Sequence, residues 1–224
     1  MELTNISEFF NSCLPVFFLS LAGTLIGSLW IDYLYPKAQK RDSLSFPNQI
    51  AERARLRKPI LFLSQLICIY KAWSLLSGSE FCYVLIAIAF LLFFTVTDFE
   101  QHVILNEMLA SFAFIGLCKT MYFHLSVFDH IIASLGGGLF FLLFAIIGKG
   151  AIGGGDIKLI AALGLWLGSR PLASIIMYGA MSGGIVALVL LFIKRAGRKQ
   201  YFAYGPYFAL SGIGILLKWL KVLF

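Results

Sequence analysis

Two aspartates in this 224-residue chain stand where long apolar stretches meet polar ones. Asp98 lies in LLFFTVTDFEQHVILN (91–106) and Asp156 in GKGAIGGGDIKLI (148–160). Ionisable groups at such places are costly and tend to be functional. Two carboxylates that meet from separate elements can do aspartic-protease chemistry. Like charges side by side resist double ionisation, so the pair shares one proton. One carboxylate then takes a proton from water while the other donates one to a scissile carbonyl. A helix that begins at Asp156 offers it the positive end of the helix dipole, which suits a base, and Asp98 at a helix C-terminus suits the acid. The pair titrates as a unit, so the two roles stay exchangeable.

Plainer readings compete. Asp156 can be an ordinary first-turn acid, and Lys158 a side chain reaching for headgroups. DFEQH places Asp98, Glu100 and His102 within five residues, but the second cluster of His or Cys that a metal site uses is missing. GKGAIG (148–153) fits G-x-G-x-x-G but follows an apolar helix where a nucleotide fingerprint needs a strand. The glycines are expected to allow an unusual turn or a close backbone approach. Gly155 adjoins the acid, whereas Gly150 lies outside the core of the motif. His124 and His130 fall near the opposite face, as interfacial residues.

The elements that must carry these acids are apolar helices. The chain is 60% hydrophobic and 13% charged, in blocks and without the alternation of a β-barrel. Blocks of about 20 apolar residues cross a bilayer as helices. Eight are expected, over roughly 9–31, 60–77, 81–97, 103–122, 126–147, 152–168, 171–193 and 201–222. The fold class is thus all-α, a polytopic transmembrane bundle forming one domain over 1–224. Its 22 Phe, 9 Tyr and 4 Trp are assigned mainly to lipid contact and interfacial belts. The four cysteines are scattered without a CxxC pair, which gives no disulfide framework and no zinc site. The acidic N-terminus does not read as a cleavable signal.

With the N-terminus outside, 13 of the 18 Lys and Arg fall on the cytoplasmic side, within loops 32–59 and 194–200 and at Lys149 and Lys158 on either side of Asp156. The positive-inside rule therefore favours N-out and C-out. The net charge of +7 then reads as basic loops against a membrane surface, with the bilayer and not nucleic acid as partner. In this topology both aspartates lie at the cytoplasmic level.

These residues carry a resemblance. GGGD (153–156) followed by IKL resembles the GxGD motif of intramembrane aspartyl proteases, and within them the type IV prepilin peptidases. DFEQHVILN is similar to that family's first motif, keeping Asp98, Glu100 and Asn106, with Leu105 where proline is usual. FAYGPYFALSG (202–212) resembles its last helix, and GTLIGSLWIDYLYPK (23–37) its first. The resemblance implies a peptidase of the bacterial inner membrane with catalytic Asp98 and Asp156. Gly153, Gly155, Lys158, Glu100 and Asn106 would position the motif or the substrate. The implied substrates are prepilins or pseudopilins, cleaved at the cytoplasmic face. Proteolysis would need no cofactor and no metal. Many relatives also methylate the product with S-adenosylmethionine and carry two CxxC pairs in the first loop; residues 32–59 hold no cysteine, which leaves that activity open. Two other classes stay open as well: another GxGD protease such as a preflagellin peptidase, and a proton-coupled transporter using the acids as a relay. A non-catalytic scaffold would survive loss of both acids.

Overall fold

A computed structural model describes residues 2–42, 50–76, 78–148, 152–194 and 204–218. Among the described residues there are eight α-helices and no strand. They are α1 (Glu2–Asp42), α2 (Ile50–Trp73), α3 (Gly78–Gln101), α4 (Asn106–Tyr122), α5 (Val127–Ile147), α6 (Gly154–Leu167), α7 (Ser169–Lys194) and α8 (Gly205–Lys218). The all-α expectation holds.

The main departure is at 32–59, expected as a loop. α1 continues to Asp42 and α2 already begins at Ile50. The reason is packing: Leu34, Ala38 and Leu61 are buried in the core, so both segments have an apolar face to cover. Residues 43–49 of the expected loop, and all but Lys194 of 194–200, lie outside the described residues.

Among the described residues, four stretches are long and apolar enough to cross a membrane: Cys13–Lys40, Gly78–Gln101, Val127–Ile147 and Ser169–Leu190. α4 and α6 have 17 and 14 residues, short of the roughly 20 of a straight crossing. α6 and α8 bury half or more of their described residues, whereas α4 leaves Phe114, Met121 and Tyr122 exposed. α6 packs on α4, α5, α7 and α8, while α8 packs mainly on α3 and α7. The longer α5 and α7 turn Phe128, Leu139, Leu143, Ile147, Ile185 and Phe192 outward. Apolar surface on that scale suits a lipid solvent, and the chain is an integral membrane protein.

The aromatic residues divide between two roles, lipid contact and a buried cluster that composition alone does not announce. Phe90, Phe94, Phe112 and Trp166 are buried and form a stack joining α3, α4 and α6. Phe112 and Trp166 lie face to face at 5.0 Å, and Trp166 Nε1 donates to the Phe112 carbonyl at 2.6 Å. Where α6 crosses α5, a Cβ on Gly164 would stand 2.5 Å from the Ser134 backbone nitrogen, so only glycine admits this backbone approach. The far end of α6 is pinned as well. The buried Lys119 ammonium donates to the Trp166 carbonyl at 3.2 Å and Thr120 Oγ1 to Leu165 at 3.3 Å, which satisfies carbonyls at a helix C-terminus. His130, expected near the face opposite the aspartates, is buried within the protein, with Nδ1 2.9 Å from the Ser126 carbonyl. The neighbouring Asp129 carboxylate accepts from the Ser169 amide and hydroxyl.

Candidate active site

α6 is thus held along its length, and its free end carries Asp156. Gly153 is the N-cap, with φ −69° and ψ 143°. These values are open to any residue, so the glycines are not there for a left-handed turn. Among the described residues, positive φ at glycine occurs only at Gly78 and Gly168. What the glycines provide is room. A Cβ on Gly153 would meet Asp156 Oδ2 at 3.4 Å, and one on Gly155 would meet Ile104 Cβ at 3.3 Å. Asp156 is the third residue of α6 and folds back over the Gly153 amide, as the acid of a capping box does. Gly150 lies outside the described residues.

Asp98 arrives from the last turn of α3, where its carbonyl accepts the closing hydrogen bond from His102 N at 2.9 Å. Both aspartates are buried, at 5% and 7% exposure. They converge on the start of α8. A Cβ on Gly205 would stand 2.5 Å from Asp98 Oδ2 and 3.1 Å from Asp156 Oδ1, and the Gly205 amide faces both carboxylates. Asp98 Oδ2 has no hydrogen-bond partner among the described residues. A buried carboxylate oxygen without a partner is destabilising, and it is where a water, a shared proton or a substrate carbonyl would be received.

The acids open into a cleft of about 310 Å³, walled by His102, Val103 and Ile104 on one side and Gly153 to Asp156 on the other. Lys158 and Asn106 stand at its rim, joined by a hydrogen bond from Nζ to Oδ1 of 2.9 Å that links α6 to α4. The structure therefore brings together Asp98, Asp156, Gly153, Gly155, Lys158 and Asn106. It does not bring Glu100 there. Two residues beyond Asp98, about 200° around the helix, Glu100 faces α1 and α2. It accepts from Arg57 and from the Tyr35 hydroxyl.

Sequence reasoning left Gly205 out of the site. Its signal was the Gly-Pro pair in FAYGPYFALSG: Pro206 preorganises the first turn of a helix, and glycine before it leaves the space that the acids occupy. His102 was weighed only as a metal ligand. It leaves α3 with φ 55° and lines the cleft. Among the described residues no group of three or more His, Cys, Asp or Glu is placed to hold a metal ion.

Comparison with known proteins finds a family and several relatives that part of the chain is similar to. Residues 85–188 match the type IV leader peptidase family. The prepilin leader peptidase/N-methyltransferase of Pectobacterium carotovorum is 33% identical over 135 residues, covering 58% of this chain and 48% of that protein. The protein of the same name from Legionella pneumophila is 27% identical over 157 residues, covering 67% and 55%. That of Neisseria gonorrhoeae is 42% identical over 65 residues, covering 29% and 21%. The chain thus spans about half the length of the first two relatives. No solved structure matches it. The matched residues 85–188 hold both aspartates of the cleft, so the part of the chain that is similar to the type IV leader peptidase family is the part that carries them.

Proposed function

We propose that the chain is a membrane aspartic endopeptidase that removes the leader from type IV prepilins or pseudopilins. The observation that carries this reading is the convergence of Asp98 and Asp156 on Gly205, with one buried oxygen unpartnered. A water held between the carboxylates loses a proton to the ionised one as its oxygen attacks the scissile carbonyl. The protonated carboxyl gives its proton to the carbonyl oxygen. Collapse of the tetrahedral intermediate expels the amine, which takes a proton from the first carboxyl, while the other recovers its own. Burial of the pair keeps bulk water out of these transfers.

In this reading the protein is multi-pass in the bacterial inner membrane, with both termini outside and the cleft at the cytoplasmic face. Arg57 and Lys158 lie at the cleft end of the bundle while Lys119 and Arg170 lie at the other, and this distribution supports it. The short α6 would begin below the membrane surface, sheltered by longer neighbours, so Asp156 sits in a recess.

The relatives are named N-methyltransferases as well. The apolar cavity of about 420 Å³ between α5, α7 and α8, lined by Phe140, Phe144, Met177, Tyr204 and Phe208 among others, presents no acidic or amide side chain to the ribose of S-adenosylmethionine. That cavity does not fit the methyl donor.

Mixing the purified protein with a candidate prepilin and taking a mass spectrum tests the reading. A shortened pilin is expected. An intact prepilin, together with proton-coupled flux into vesicles, would favour a carrier.

A further inference from the structure

We propose that Arg57 is a positioning residue for Asp98 that acts through Glu100; this rests on the peptidase reading above. In the sequence Arg57 is one cation among seven in 32–59, a segment expected against lipid headgroups. In the structure its side chain is only 4% exposed. Its guanidinium holds Glu100 with two parallel bonds, Nε to Oε1 at 2.7 Å and Nη2 to Oε2 at 2.7 Å. Nη1 donates to Asp32 Oδ1 on α1. The Tyr35 hydroxyl donates to Glu100 Oε2 at 2.8 Å, and the guanidinium carbon lies 5.5 Å from the Tyr35 ring centroid. One cation thus ties α1, α2 and α3 together.

The position of this clasp gives it a consequence for the acids. Asp98 and Glu100 share the last turn of α3, which ends at Gln101 and passes into the left-handed His102. Last turns of helices lack intrahelical partners for their carbonyls and are where helices fray. The Asp98 side chain adds no anchor of its own through Oδ2, which is unpartnered. On the opposite side of the same turn, Glu100 accepts three hydrogen bonds. Fixing Glu100 fixes the rotation and height of the turn, and with them the direction in which Asp98 meets Asp156.

Two other roles fit less well. A headgroup anchor would be exposed. A substrate contact would open into the cleft, whereas Glu100 and its partners face the α1–α2 side. Lysine could keep the charge but not the fork that grips Glu100 while a third donor reaches Asp32.

The test is steady-state cleavage of a prepilin by folded protein, with Arg57→Gln, Arg57→Lys, Glu100→Gln and the double Arg57→Gln/Glu100→Gln. A misplacement near 1 Å lowers rate on the order of a hundredfold. A kcat lower by about that factor is expected for Arg57→Gln and Glu100→Gln, with KM within about twofold of the wild type. The double variant should be no slower than the slower single, because both changes break one link. Arg57→Lys should lose about tenfold, and it serves alone if the glutamine variants do not insert. Amide exchange should quicken over residues 98–101 in Arg57→Gln while 156–166 stays protected, a local change that general destabilisation would not give. Wild-type kcat in folded Arg57→Gln or Arg57→Lys, a raised KM with unchanged kcat, or losses that multiply in the double would each overturn the proposal. A wild-type protein that cleaves no prepilin would sink the peptidase reading itself, which separates the two failures.

Discussion

Asp98 and Glu100 are two residues apart, on one turn of α3, and almost equally buried at 5% and 4% exposure. Their surroundings are opposite. Glu100 has a bidentate cation and a tyrosine hydroxyl, with its charge matched by the guanidinium. Asp98 has a second carboxylate and a glycine before it, and an oxygen with no partner. Burial alone therefore does not mark a functional acid. A buried charge that is satisfied holds structure, and one left unsatisfied is available for chemistry. Helical periodicity lets one turn do both, because residues i and i+2 face away from each other.

The sharpest way to separate the two acids leaves both in place. Gly205→Ala would put a methyl 2.5 Å from Asp98 Oδ2 and 3.1 Å from Asp156 Oδ1, so the carboxylates must part. Cleavage should fall by about a hundredfold or more, while thermal unfolding in detergent stays near that of the wild type, since alanine is a better helix former than glycine. Unchanged cleavage would mean that the meeting of the acids at Gly205 is not the working geometry.

Stability should answer in the reverse sense. Glu100→Gln removes the charge that Arg57 grips. Breaking such a buried pair typically costs about 3–5 kcal/mol, and about 3 kcal/mol is expected here because Asp32 still faces Arg57. Asp98→Asn removes a buried charge that faces no cation and has one oxygen without a partner, and it should be neutral or stabilising. Paired unfolding measurements check this, and equal losses from both changes would erase the distinction between the two acids.

The smallest effect is expected at the rim. Lys158→Ala removes one exposed hydrogen bond to Asn106, worth about 0.5–1.5 kcal/mol. Cleavage should fall less than about tenfold, with the change read mainly in KM. A loss as deep as that of Gly205→Ala would place Lys158 among the reacting groups instead.

Much of this was legible in the sequence, for reasons that particular residues make plain. The helical class followed from apolar blocks, and Asp98 and Asp156 were visible because acids are conspicuous beside them. Lys158 and Asn106 came with the motifs and do meet. Glu100 was grouped with the site because it belongs to the motif that resembles the family's first, whereas helix geometry turns it to the other side. Arg57 looked like one more basic residue, since its burial depends on α2 starting at Ile50, and that start depends on contacts with α1 and α3. Gly205 was hidden because a glycine's function here is the space it leaves, which only the approach of three helices reveals. The aromatic stack around Trp166 was missed because composition does not tell a lipid-facing ring from a buried one.

The central claim is that Asp98 and Asp156 form one catalytic pair. The most direct measurement is the mass spectrum of a prepilin after incubation with purified Asp98→Asn or Asp156→Asn protein, each shown to be inserted and folded. Neither carboxamide can take or give the proton the cycle needs, so each variant should leave the prepilin intact while the wild type shortens it. Normal processing by either variant would contradict the account.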